Sequence, residues 1–181
     1  MDRGRIVLHT FRDGLAATAG HDLTIEAGRW SGELTVNDDG KPAELLVQVD
    51  MGSLIVREGT GGIKPLTDRD RREIAVTARK TLAADRYPEA SFTAESFEPG
   101  ADEGGTITGT LTLAGQSRPL WLTVTRTGPD RYHAAAEVVQ SQFGIKPYTG
   151  FFGALRVRDA VNVDVDVDLS GPDGGTGAQP P

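Results

Sequence analysis

The chain has 181 residues, with 19 Lys and Arg against 26 Asp and Glu, three His and no Cys. That length predicts one domain able to bury its own core, and the missing Cys exclude disulfides, thiolate metal sites and thiol nucleophiles. A net charge of −7 argues against non-specific attraction to nucleic acid or an anionic lipid surface, since both rest on Lys and Arg.

From the N-terminus, Met1 to His9 holds no apolar run long enough for a signal-peptide core. No uncharged stretch approaches the roughly 20 residues of a spanning helix. The expectation is a cytoplasmic protein as given, or a periplasmic or extracellular one if a leader has been removed. Residues 5–10, 15–19 and 22–27 then predict short strands. Trp30, Leu34 and Val36 alternate with Ser31, Glu33 and Thr35, and Leu45, Val47, Val49 and Met51 with Gln48 and Asp50. Successive strand side chains point to opposite faces, so each segment has one apolar and one polar side.

The pattern breaks at Thr67. From there to Leu82 the composition is helical, with Thr67 or Asp68 as N-cap and acids in the first turn. Ile74, Ala78 and Leu82 make a narrow apolar stripe, and Asp68–Arg72 and Arg69–Glu73 are spaced for pairing across one turn. The helix ends near Tyr87-Pro88.

Alternation returns over 91–97, then in Ile107, Leu111 and Leu113 against Thr108, Thr110 and Thr112. It continues in Leu120, Leu122 and Val124 against Thr123 and Thr125, and over 132–139. The last run, Val161 to Leu169, is strict over its whole length, with Val163, Val165 and Val167 facing one way and Asp164, Asp166 and Asp168 the other. Eight to ten one-sided strands of this kind read as antiparallel, because parallel strands under helices are apolar on both faces. Short connections at 37–42, 100–105 and 128–130, rich in Gly, Asp and Pro, read as hairpin turns. A sandwich and a closed barrel both fit this periodicity. The Gly- and Pro-rich end, 171–181, is expected to be disordered, leaving 1–170 as the folded domain.

Few residues suggest reaction chemistry. Asp164, Asp166 and Asp168 have the spacing that opens a calcium loop, but Leu169 and Gly175 stand where that loop needs Gly and Glu. The 59–67 segment has a phosphate-loop flavour, yet Lys64 is followed by Pro65, and a loop-to-helix joint is the simpler reading. His9, His21 and His133 share no metal-ligand spacing, and His21 and Asp22 are expected to face opposite ways on a strand. Basic residues over 64–80 are diluted by acids and carry no interleaved aromatics, so no nucleic-acid surface is expected. The apolar interior, with Trp30, Trp121, Phe92, Phe97, Phe143, Phe151 and Phe152 on or beside strands, is what remains. In a barrel of about eight strands such an interior is either just filled by side chains or holds one small ligand.

Several segments in order resemble the YceI-like family of lipid- or polyisoprenoid-binding proteins. They are Gly14-Leu15-Ala16-Ala17, Gly20-His21-Asp22-Leu23-Thr24-Ile25, Trp30-Ser31-Gly32 and Asp50-Met51-Gly52-Ser53-Leu54. The helix start, 67–74, follows, then Arg86-Tyr87-Pro88-Glu89-Ala90-Ser91-Phe92, Gly109-Thr110-Leu111-Thr112-Leu113-Ala114-Gly115, Arg118-Pro119-Leu120 and Gln142-Phe143-Gly144-Ile145. The resemblance covers residue 5 to about 169. It departs from the commoner pattern at Gln140-Ser141-Gln142, where an Arg and an acid are frequent.

The resemblance implies an antiparallel, about eight-stranded, lipocalin-like β-barrel with one amphipathic helix inserted mid-chain. Its interior would bind, store or transport a polyisoprenoid or similar long amphiphile. It implies no catalytic residue and requires neither metal nor cofactor. With the alternation, it points to Leu34, Val36, Val47, Val49, Phe92, Leu111, Leu113, Leu122, Val124, Val163 and Val165 as lining residues. Neither source fixes the oligomeric state; a homodimer is compatible with both. Two rivals stand beside this reading. An enzyme acting on a hydrophobic small molecule would need an inward ionisable group, and Asp159 falls in phase with Val157, Val161 and Val163 unless a bulge intervenes. A filled barrel would instead serve as an interaction module, through the helix or the 57–66 loop.

Overall fold

In the structure, a computed structural model that describes residues 3–100 and 104–170, the valine–carboxylate run becomes β13 (Ala160–Asp168). It lies between β1 (Gly4–Thr10) and β10 (Arg131–Val139), antiparallel to both. Register keeps like with like: Val165 stands opposite Ile6 and Ala134, and Val163 opposite Leu8 and Ala136. One face of three neighbouring strands is thereby wholly apolar, which is the packing unit of a one-sided sheet. The other strands are β2 (Arg12–Asp13), β3 (His21–Ala27), β4 (Trp30–Val36), β5 (Pro42–Asp50), β6 (Leu54–Gly61), β7 (Glu89–Pro99), β8 (Gly105–Leu113), β9 (Gln116–Gly128), β11 (Thr149–Gly150) and β12 (Leu155–Val157).

Ten strands form one antiparallel sheet in the order β4-β5-β7-β8-β9-β10-β13-β1-β3-β6, while β11, β12 and β2 make a small separate sheet. The large sheet curls into a barrel, helped by register shifts at Thr24/Ile25, Thr35/Val36, Ala94/Ser96 and Arg131/Tyr132, since bulges bend strands and increase their twist. Its two edges, β4 and β6, do not pair with each other. They are held together at one corner, where the Gly28 N–H donates to the Ser53 carbonyl (3.0 Å) and the Arg29 N–H to Ser53 Oγ (2.9 Å). Of the predicted turns, 37–42 and 128–130 join antiparallel neighbours, β4 to β5 and β9 to β10, while residues 101–103 of the third lie outside the described residues. At Ala114-Gly115, between β8 and β9, both residues have positive φ (49° and 75°), the two-residue geometry that matches strand twist.

The helix α1 (Asp68–Thr81) begins as its sequence dictates. Thr67 is the N-cap, its hydroxyl accepting from the Asp70 N–H while the Asp70 carboxylate accepts from the Thr67 N–H, a reciprocal capping box. Arg69 pairs with Glu73 as expected (2.8 Å), but Asp68 is met by Arg71 rather than Arg72. Both lie one turn away, and on a helix surface i+3 is as close as i+4. The helix packs along β6. A compact core gathers Ile6, Ile25, Met51, Leu54, Val138 and Phe143, with Trp30, Ile74 and Leu82 against it.

Three expectations need correction. Residues 15–19 are not a strand: Gly14 turns the chain at φ 92°, and Ala17–Ala19 form one 3-10 turn. The stretch read as a loop over 57–66 is a strand as far as Gly61, because an edge strand pairs on one side only and tolerates Arg57, Glu58 and Gly59. The large sheet has ten strands, the upper end of the eight to ten read from alternation and more than the about eight that the resemblance implies. The C-terminal stretch expected to be disordered lies outside the described residues.

Candidate functional site

The inward parity of the sheet does not meet in the middle. It encloses an apolar cavity of about 1140 Å³, so the barrel is not filled by its own side chains. All eleven positions singled out in the sequence line it: Leu34 and Val36 on β4, Val47 and Val49 on β5, Phe92 on β7, Leu111 and Leu113 on β8, Leu122 and Val124 on β9, Val163 and Val165 on β13. The helix contributes its predicted stripe, Ile74, Ala78 and Leu82. Gly109 makes room for the largest of these side chains: a Cβ there would sit 2.7 Å from the tip of the Phe92 ring.

Sequence reasoning missed the polar end of the cavity. Arg12, His21, Lys64, Asp70, Glu73, Tyr148 and Arg156 line it together with Ala19 and Phe151. They come from β2, β3, the segment after β6, the start of α1 and the β11–β12 region. Arg12 and Arg156 are placed by the small sheet, whose strands of two or three residues carry no readable periodicity. Arg12 is fixed there: its Nη1 donates to the Gly20 carbonyl (2.8 Å), and its backbone N–H donates to Asp22 Oδ1 (2.8 Å). His21 and Asp22 do diverge, since His21 Nε2 instead meets the Lys64 carbonyl. The Thr10 hydroxyl also lines this region and is buried without a hydrogen-bond partner among the described residues.

The remaining singled-out groups lie elsewhere. The three β13 carboxylates are on the outer face, where Asp164 lies between His9 (3.1 Å) and His133 (3.3 Å) and Asp168 pairs with Arg131 (3.1 Å). Asp166 accepts from Arg5 (2.8 Å) and His133 (2.9 Å), and these bonds, Arg5 foremost, hold its carboxyl below the usual carboxylate range. No cluster among the described residues has the arrangement of a metal site. Asp159 does not line the cavity. The chain breaks register between β12 and β13, and the Asp159 carboxylate accepts from the Ser141 N–H (2.7 Å) and hydroxyl, fastening the turn over 140–143. The enzyme reading thereby loses its named residue. Of the aromatics, Trp30, Phe92, Phe97 and the partly exposed Phe151 line the cavity and Phe143 is core, whereas Trp121 and Phe152 are exposed.

No helix among the described residues is long and apolar enough to cross a membrane. No curated protein matches the chain. Among solved structures, it is similar to Burkholderia cenocepacia BcnA, with 16% identity and a TM-score of 0.58 over 90% of this chain and 94% of that one. It is also similar to the Campylobacter jejuni YCEI protein, with 20% identity and a TM-score of 0.58 over 79% of this chain and 81% of that one. At such identities the likeness is one of fold. The family model for the YceI-like domain is a match of the sequence itself and runs over residues 11–169, across the barrel, the helix and the polar end of the cavity: the chain belongs to the YceI-like family.

Proposed function

We propose that the barrel binds one long apolar or amphiphilic molecule, of polyisoprenoid or similar chemistry, and stores or carries it. The observation that carries this reading is the cavity: about 1140 Å³, walled by Leu, Val, Ile and Phe, and larger than the roughly 300–1,000 Å³ of ordinary small-molecule pockets. Burial of a hydrocarbon chain in such a wall is favoured by about 0.8 kcal/mol per CH₂. The polar groups at one end supply an orientation. A headgroup would meet Arg12, Lys64 and the unpartnered Thr10 hydroxyl, and the tail would run toward Phe92, Val36 and Val124. We read the protein as a carrier rather than a catalyst.

Native mass spectrometry of gently purified protein tests this. The expected result is one lipid-sized adduct per chain, released by denaturation. A chain that carries no adduct and takes up no monomeric amphiphile from solution would overturn the reading.

A further inference from the structure

Four large apolar side chains stand out in water around the polar end of the cavity. Relative exposure is 99% for Leu15, 86% for Ile63, 65% for Phe151 and 114% for Phe152. They belong to three loops that the fold ties into one rim. The Ala16 N–H donates to the Ala154 carbonyl (2.9 Å), β2 pairs with β12 through Arg12 and Val157, and Arg12 Nη1 reaches the Gly20 carbonyl (2.8 Å) and the Thr60 carbonyl (3.4 Å). His21 then holds Lys64, next to Ile63. Phe151 itself lines the cavity, so the rim and the mouth are continuous.

The backbone adds an independent sign. Phe151 and Phe152 both have left-handed φ (48° and 54°), a region that bulky side chains avoid. Phe152 gains no burial inside the fold in return, since none of its surface is covered.

We propose that this rim is a membrane-docking surface, seated on a lipid bilayer so that the cavity mouth faces the acyl phase. The proposal rests on the amphiphile-carrier reading above. Single side chains projecting from separate loops offer no shape for a rigid protein face to match. They suit a fluid interface, where each tip sinks independently. Tyr148, half-exposed and lining the cavity, has the amphipathic ring favoured at headgroup level, and Lys64 and Arg156 line the same cavity. Because the whole chain carries −7, the attraction is apolar insertion rather than charge, and zwitterionic lipid is the expected surface.

Flotation with phosphatidylcholine vesicles reads the docking directly. The key variant is Phe152→Asn, because Asn accepts a left-handed backbone and the side chain it replaces is fully exposed. Wild-type protein is expected to float with vesicles, and Phe152→Asn to lower the partition by about tenfold, as expected for losing one inserted aromatic. Leu15→Ser and Ile63→Ser should lower it further. Uptake of a monomeric fluorescent fatty acid from solution should stay unchanged in Phe152→Asn, while uptake of the same probe from vesicles slows about tenfold. The proposal is overturned if wild type does not float, if Phe152→Asn floats equally well, or if sedimentation shows a dimer that Phe152→Asn dissolves. Failure of wild type to take up the monomeric probe strikes the carrier reading instead, and flotation is scored separately from it.

Discussion

His21 Nε2 lies 2.9 Å from the Lys64 carbonyl oxygen, joining the first residue of β3 to the segment that leads into the helix. A carbonyl only accepts, so Nε2 carries the hydrogen and donates. This single bond spans one side of the cavity mouth. His21→Ala is expected to cost about 1 kcal/mol of stability, the usual net worth of such a bond. The sharper effect is local: amide hydrogen exchange over 61–66 should speed up while the β10–β13 ladder keeps its protection. Equal acceleration in both regions would contradict the assignment.

Bulk added to the cavity wall should compete with the guest without harming the fold. Val124 and Leu122 line the cavity on β9, and a Trp at either position has space to enter. In a filled core such overpacking costs about 1–3 kcal/mol. Here the melting temperature of Leu122→Trp should stay within about 3 °C of wild type, a change of under about 1 kcal/mol. Affinity for a long-chain probe should fall about tenfold, measured by fluorescence titration.

Acid should weaken the barrel through its paired carboxylates. Arg57 holds Glu26 below its ordinary value, and Arg5 with His133 does the same for Asp166. The folded state therefore binds these protons later than the unfolded chain does. Their stabilisation is complete above the ordinary carboxylate range, about pH 4, and is lost as pH falls through the lower folded-state values. Urea midpoints should decline below about pH 4. The decline should be shallower in Arg5→Met, with Asp166 relieved of its main partner.

The capping box offers a clean test of what starts the helix. Thr67→Ala removes the acceptor for the Asp70 N–H and the hydroxyl donor to its carboxylate, leaving the backbone N–H of residue 67 in place. A loss of about 1 kcal/mol is expected, with Thr67→Ser restoring most of it. Thermal melts of the three proteins would decide it.

How far these features were legible depends on how each residue is held. β13 was plain because Val and Asp alternate without interruption and both neighbours share its parity. The eleven wall positions came from that alternation taken with the family resemblance. Edge strand β6 was hidden, since pairing on one side leaves Arg57, Glu58 and Gly59 free of the constraint that makes a central strand look like one. The mouth was hidden for a different reason. Arg12 and Arg156 come from the small sheet of β2, β11 and β12, whose two- and three-residue strands have no period to read, and Lys64 meets His21 only through the segment after β6. Asp159 misled through phase: counting by twos from Val157 to Val161 assumes one strand, and the chain changes sheets between them.

The unpaired edges of β4 and β6 bear on which guests fit. A fully laddered barrel has a circumference set by its hydrogen bonds, and a wider guest must break some of them. Here the perimeter is open at one line, pinned at Gly28, Arg29 and Ser53, with α1 laid along β6. Away from that pin no ladder of backbone bonds between β4 and β6 sets the girth. On the carrier proposal, such a container would select its cargo by greasiness and length more strictly than by cross-section, and a branched or kinked chain would be admitted on nearly the same terms as a straight one.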